Sequence, residues 1–257
     1  MTIDLNDYQL LPIFMVSLVV LLTVAEIGRW LGERGGGEEN VPTLEGAVLG
    51  LLALMIGFTF AMALSRFELR RDAVLDEANA IGTTALRARL LPTPHNAESV
   101  KSLNDYVQVG LDLTQRALSP GELNAAITRS NAIQEALWHQ AKAVAATDTG
   151  MVPTGLFIQS LNEMIDNREK HLNAIRDRVP NIVFLTLYGV AATASAFAGY
   201  ASGSGERPSR LPVCVMIVLV CSVILMIQDL DRPFAGFIFN SQQPMIDAAK
   251  SISSSGD

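Results

Sequence analysis

Apolar residues are concentrated in four long runs along the chain. Residues 182–202 and 211–228 contain no charged side chain, and neither do residues 10–25. Residues 44–65 contain a single charge, Glu45, close to the start of the run. Because the hydrocarbon core of a bilayer is about 30 Å thick, a helix needs roughly 20 mostly apolar residues to cross it. The pattern predicts four membrane-spanning helices, at about residues 10–30, 44–65, 182–202 and 211–228.

The region between the second and third runs is polar and has helical periodicity. Phe67, Val74 and Ile81 recur every seven residues, which gives a narrow apolar stripe on a charged helix. No proline interrupts the chain between Pro42 and Pro92, so the second span is expected to continue into a helix of about 48 residues. Three more amphipathic helices follow. The sequence predicts an all-α membrane protein with a large helical insertion between the second and third spans.

The distribution of basic residues predicts the orientation. Residues 66–180 contain 13 of the 19 Lys and Arg residues, several of them next to a span. The positive-inside rule therefore places this region, and with it both termini, on the cytoplasmic side of the membrane. The predicted division is a first membrane hairpin (1–65), a cytoplasmic helical domain (66–180), a second hairpin (181–229) and a cytoplasmic C-terminal segment (230–257).

Composition excludes several classes of function. The net charge of −7 argues against nucleic-acid binding, which needs a basic surface. Cys214 and Cys221 are seven residues apart on one predicted helix, about 10.5 Å, which is too far for a disulfide. The sequence has no phosphate-binding loop, dinucleotide motif, nucleophile elbow or zinc-ligand spacing. No enzyme and no organic cofactor is predicted, and the lipid bilayer is the expected environment.

Small residues line one face of the second span, at Gly46, Gly50, Ala53, Gly57, Ala61 and Ser65. Such a face either packs closely against another helix or faces a pore, where small side chains leave room for ions. Thr59 is the only polar residue in the middle of the span. Its hydroxyl could solvate a passing ion or donate a hydrogen bond to its own helix. Both alternatives remain open at this point.

Polar residues on the extension of this helix are candidates for a cytoplasmic vestibule. Arg70 and Glu77 are seven residues apart and share a face, and Asn79 and Thr83 follow. In an oligomer, a ring of carboxylates would concentrate cations and a ring of arginines would concentrate anions. The alternative is a solvated helix with local salt bridges.

Two features follow the last span. Asp229 and Asp231 form an acidic pair that could bind calcium, although further oxygen ligands are missing from this stretch. Alternatively, Arg232 pairs with one of them. An apolar cluster then follows, formed by Phe234, Phe237, Ile238 and Phe239. It is expected to lie at the membrane interface or, alternatively, to pack against the cytoplasmic domain.

Three blocks of residues resemble a known family. They are Gly-Phe-Thr-Phe-Ala-Met-Ala at 57–63, Glu-Ala-Asn-Ala-Ile-Gly-Thr at 77–83 and Asp-Leu-Asp-Arg-Pro-Phe at 229–234. Over essentially the whole chain the sequence resembles the bacterial membrane proteins called bestrophin-like. Their name implies a remote relation to bestrophins, which are four-span pentameric ion channels. That resemblance implies that Ile56, Phe60 and Leu64 line a pore.

The expected function is therefore passive conduction of inorganic ions by a homo-oligomer, with five copies implied by the resemblance. The pore would be lined by the second span and its extension. Candidate pore-lining residues are Gly50, Ala53, Ile56, Gly57, Thr59, Phe60 and Leu64. The alternative function is a non-conducting membrane scaffold or sensor whose cytoplasmic helices bind a partner.

Overall fold

The structure is a computed structural model, and it describes residues 10–35, 40–114, 120–147, 152–205, 209–233 and 236–254. These residues form helices and connecting segments, with no strand among them. The helices are α1 (Leu10–Gly35), α2 (Val41–Ala88), α3 (His95–Thr114), α4 (Pro120–Thr147), α5 (Val152–Arg176), α6 (Asn181–Ser204), α7 (Leu211–Asp231) and α8 (Gln243–Ser254).

Four helical segments are long and apolar enough to cross a membrane, as the apolar runs predicted. They are Leu10–Gly35, Val41–Ala88, Val152–Ser204 and Leu211–Asp231, of which the third comprises both α5 and α6. The prediction of one uninterrupted helix after Pro42 is also confirmed, because α2 runs for 48 residues. At 1.5 Å per residue this helix is about 72 Å long, more than twice the thickness of the hydrocarbon core.

The chain divides into two compact units. The first, called the membrane unit here, comprises Met1–Arg66, Arg178–Arg232 and Gly236–Ile238. The second unit comprises Phe67–Asp177, Pro233–Ala235 and Phe239–Asp257. Helix α2 contributes its first part to the membrane unit and its remainder to the second unit. Each unit has an apolar core of its own.

Glycines bring α1 and α6 into close contact inside the membrane unit. A Cβ added to Gly199 of α6 would lie 2.0 Å from the carbonyl oxygen of Ala25 on α1. A Cβ added to Gly28 of α1 would lie 2.2 Å from the carbonyl oxygen of Ala196. Gly32 and Gly203 meet the facing backbone in the same way, at 2.2 Å and 2.3 Å. Only glycine allows the two backbones to approach this closely.

The second unit buries side chains from α2, α3, α4, α5 and α8. Its core includes Ile81, Leu103, Leu137, Leu161 and Ile252. Val74 and Ile81 of the apolar stripe predicted on the extension of α2 are buried in this core, whereas Phe67 is half-buried and lies outside it. Helix α8 is amphipathic, and its apolar face is buried in this core. The buried residues are Met245, Ala248, Ala249 and Ile252.

Candidate functional site

One face of α2 in the membrane unit is left uncovered by the described residues of the chain. All six small residues that define this face are exposed: Gly46, Gly50, Ala53, Gly57, Ala61 and Ser65. A Cβ added to Gly46, Gly50 or Gly57 would meet no atom of another described residue within 4 Å. This face is called the open face of α2 below. It does not serve to pack α2 against α1, α6 or α7.

The opposite side of α2 faces the interior of the membrane unit. Successive residues advance by about 100° around a helix, so Thr59 lies about 200° from Gly57. Thr59 is buried, and its hydroxyl donates to the carbonyl of Met55 at 2.7 Å. A pore lined by Gly57 is therefore not lined by Thr59 of the same copy.

The other pore candidates differ in exposure. Gly50, Ala53 and Gly57 are exposed on the open face, whereas Ile56, Phe60 and Leu64 are half-buried. Ile56 packs against the apolar core of the membrane unit. By the same rotation, Leu64 lies about 20° and Phe60 about 60° from the direction of Gly57. The side chains of Phe60 and Leu64 therefore border or enter the open face.

Arg70 and Glu77 occupy the buried side of α2 in the second unit, where 2% and 0% of their surfaces are exposed. The sequence had placed both among side chains that could ring an open vestibule. Asn79 and Thr83, the other two vestibule candidates, are exposed. They help to line a cavity of about 540 Å³ together with Gln243 and Asp247.

Glu77 is the centre of a buried polar network. Its carboxylate contacts Nδ1 of His171 at 2.5 Å and Nη1 of Arg168 at 3.4 Å. The hydroxyl of Tyr106 donates to Glu77 at 3.3 Å and accepts a hydrogen bond from the amide of Gln134 at 3.3 Å. Burial and the nearby Glu77 carboxylate raise the pKa of Tyr106, so its phenol keeps the proton that it donates. The network joins α2, α3, α4 and α5.

Different charged side chains are exposed on the same stretch of α2. Glu68, Arg71, Asp72 and Asp76 are all exposed. Glu68, Arg71 and Asp72 lie within about 60° of the direction of Gly57, so they continue the open face along the helix. Nη2 of Arg71 lies 3.4 Å from the carboxylate of Asp72. The four exposed side chains carry one positive and three negative charges, a net surplus of two carboxylates.

The acidic pair after the last span accepts backbone hydrogen bonds. The Asp231 carboxylate accepts the N–H of Val179, at 2.9 and 3.1 Å, just before α6 begins. The Asp229 carboxylate accepts the N–H groups of Phe237 and Ile238, in both cases at 2.9 Å. Both aspartates are buried, with 0% and 3% of their surfaces exposed for Asp231 and Asp229. Asp231 thus fixes the backbone just before α6, and Asp229 fixes the segment that follows α7.

Calcium binding by Asp229 and Asp231 stays a prediction. Calcium takes six to eight oxygen ligands, usually from several carboxylates. Among the described residues, no group of three or more His, Cys, Asp and Glu side chains could hold a metal ion.

The family of the chain follows from its sequence. A family model for the Bestrophin-like domain matches residues 12–245. The chain belongs to the bestrophin-like family. With its four apolar helical segments, this membership identifies an integral membrane protein. No match was found among curated proteins.

Solved structures have the same fold. One is a crystal structure of a bacterial Bestrophin homolog from Klebsiella pneumoniae that carries a mutation. It aligns with a TM-score of 0.70 and 16% identity, covering 95% of this chain and 99% of the other. A second structure of a Klebsiella pneumoniae homolog, phased with zinc, gives a TM-score of 0.68 and 16% identity, with coverage of 93% and 97%. At 16% identity this likeness shows a common fold and no more.

Two features of this bestrophin-like chain were missed in the sequence. Gly28 and Gly32, like Gly199 and Gly203, have the spacing of a Gly-x-x-x-Gly pair, which could have indicated the contact between α1 and α6. No comparable sequence pattern indicated the partners of Glu77. His171 is 94 residues away from Glu77 along the chain. Only the folded second unit brings the two side chains together.

Proposed function

We propose that this bestrophin-like protein is a passive ion channel in which five copies surround a central axis with the open face of α2 toward it. The observation that carries the proposal is that this face is exposed along its small residues. An uncovered helix face in a membrane protein must contact lipid, another protein or water. Small residues contribute little to burial against lipid, but they leave space along an axis.

The proposed pore has a wide part and a narrow part. Gly50, Ala53 and Gly57 would line the wide part, because their side chains are absent or a single methyl group. Phe60 and Leu64 would narrow the passage with apolar side chains, with Ile56 at the edge of the same constriction. Apolar constrictions of this kind can close a channel by excluding water. Thr59 is assigned to helix packing, since its hydroxyl is bonded to its own helix.

The proposed orientation follows the distribution of basic residues. The second unit and both termini would lie in the cytoplasm, and the protein would reside in the bacterial inner membrane. Its partners would be lipid, inorganic ions and other copies of itself, and neither nucleic acid nor a catalysed reaction is part of the proposal.

The exposed charges on α2 favour cations. If the open face surrounds an axis, Glu68, Asp72 and Asp76 lie on the extension of the pore-lining helix, and Arg71 is paired with Asp72 at 3.4 Å. Glu68, Arg71 and Asp72 continue the open face, and their surplus of one carboxylate would be repeated in every copy, which raises the local concentration of cations. Arg70 and Glu77 do not contribute to this field directly, because both are buried.

The experiment is ion flux from liposomes that contain the purified full-length protein. Sodium, potassium and chloride gradients are applied separately, and the subunit number is measured in nanodiscs. We expect flux of both cations to exceed that of chloride. In the double variant Glu68→Gln and Asp72→Asn, the ratio of cation to chloride flux should fall severalfold. The matched control is Glu163→Gln and Asp166→Asn, which removes the same two charges from exposed positions on α5.

Several outcomes would contradict the proposal. A monomer in nanodiscs would exclude a pore built from several copies of α2. If both double variants changed the ratio of cation to chloride flux equally, the exposed charges of α2 would not be the cause of the selectivity. Absence of flux together with stoichiometric recovery of a cytoplasmic protein by cross-linking in cells would favour the scaffold alternative.

A further inference from the structure

The segment that follows α7 exposes aromatic side chains. Phe237 is 79% exposed and Phe239 is 73% exposed, and Ile238 lies between them. Large apolar side chains that remain uncovered next to one another usually mark a contact surface. Phe234 of the same cluster lies outside the described residues. The proposed pore leaves Phe237, Ile238 and Phe239 without a function.

The backbone of this segment is fixed rather than free. The Asp229 carboxylate accepts hydrogen bonds from Phe237 and Ile238, and charge-assisted bonds of this kind are among the stronger ones in proteins. Gly236 has a φ of +143°, and a Cβ at this position would lie 2.0 Å from an oxygen of Asp229. Both the conformation and the close approach require glycine. The buried aspartate thus fixes the position from which Phe237 projects.

The length of α7 predicts the depth of this segment in the membrane. The uncharged stretch between Arg210 and Asp229 has 18 residues, which corresponds to about 27 Å of helix. The hydrocarbon core is about 30 Å thick, so Asp229 is expected at its boundary. Because the N–H of Phe237 lies 2.9 Å from the Asp229 carboxylate, its backbone lies at the same boundary.

The charge of the segment agrees with that depth. Residues 233–246 contain no charged side chain. Exposed aromatic side chains are typical of the zone between lipid headgroups and acyl chains, and the absence of charge allows the segment to lie there. We propose that Phe237 inserts into this zone of the bilayer and anchors the end of α7 at a fixed depth. This anchor is independent of whether the protein conducts ions.

The test measures what surrounds the side chain at position 237 in the full-length protein in liposomes. Cys214→Ser and Cys221→Ala give a cysteine-free background, and Phe237→Cys then carries a nitroxide spin label. Collisions with oxygen report lipid, and collisions with a water-soluble nickel chelate report solvent. Phospholipids labelled at known positions calibrate the depth. Glu135→Cys, at an exposed position on α4, is the reference for water.

We expect the label at position 237 to collide frequently with oxygen and rarely with the nickel chelate, at the depth of the headgroup boundary. Frequent collisions with the nickel chelate, as at Glu135→Cys, would overturn the proposal, because Phe237 would then lie in water. Rare collisions with both reagents would overturn it as well, because the segment would then be covered by another copy of the chain. Binding and flux measurements play no part in this test, so it can fail while the proposed channel stands.

Discussion

Two sets of small residues in the membrane unit have the same spacing but different surroundings. Between α1 and α6, a Cβ at Gly199 would come within 2.0 Å of a backbone carbonyl oxygen. On the open face of α2, a Cβ at Gly50 or Gly57 would meet nothing within 4 Å among the described residues. Small residues four apart therefore occur both where another helix of the same chain is in close contact and where none of its described helices is. The spacing alone does not indicate which of the two applies.

The two helix faces differ in role: one makes contacts that stabilise the fold of a single copy, and the other is left exposed for contact with other molecules. The contact between α1 and α6 brings backbone atoms together, and a larger side chain would force the helices apart. The open face contributes no such contact inside the chain. Helix α2 is held instead by its opposite side, which carries Thr59 in the membrane unit and Glu77 in the second unit. Substitutions on the two kinds of face should differ in their effects on folding.

The largest effect is expected for Glu77→Gln, on the packed side of α2. The substitution keeps the shape but leaves Arg168 without its 3.4 Å partner charge in a buried position. Removing one member of a buried ion pair typically costs about 3–5 kcal/mol of unfolding free energy. Thermal unfolding in detergent, followed by circular dichroism, measures the change. Asp76→Asn, an exposed neighbour on the same helix, is the control and should alter stability by less than about 0.5 kcal/mol. Similar stabilities for the two variants would contradict the role given to the network.

The next effect is expected for Gly199→Ala, in the contact between α1 and α6. The new methyl group meets the backbone of Ala25, which cannot rotate away as a side chain can. Overpacking costs about 1–3 kcal/mol, and a backbone obstacle places this variant at the upper end. Gly189→Ala on the same helix is the control, because its Cβ meets nothing within 4 Å among the described residues. That change should be neutral or should stabilise α6 by up to about 1 kcal/mol. If both variants unfold at the same temperature, the two helices are not in the close contact described here.

Much of the fold was predictable from the sequence because it depends on local patterns. The apolar runs predicted the four spans, and the absence of proline after Pro42 predicted the length of α2. The open face was visible as a stripe of small residues. Its direction was not, because spacing alone leaves packing and pore lining equally open.

The polar part of the candidate site was less predictable. Sequence reasoning grouped Arg70 and Glu77 as residues on one face, and both do lie on one side of α2, but that side is buried. Burial depends on α3, α4 and α5, whose docking against α2 has no short-range signal. Asp229 and Asp231 suggested a cation site or an ion pair, and the structure shows that both carboxylates also accept backbone N–H groups. A carboxylate in a sequence does not reveal whether a metal, an arginine or the backbone will be its partner.

The smallest effect on folding is expected for Gly57→Leu, on the open face. A leucine at this position projects away from the described helices of the same copy and favours a helix more than glycine does, so the unfolding free energy should be unchanged or should rise by up to about 1 kcal/mol. If α2 surrounds a pore, the same side chain enters the proposed wide part once per copy, and ion flux should be lost. Gly189→Leu adds the same group to α6 and should preserve flux. Loss of stability in Gly57→Leu would mean that the open face is covered within one chain. Retained stability together with unchanged flux would mean that the face is open but meets lipid rather than an ion path.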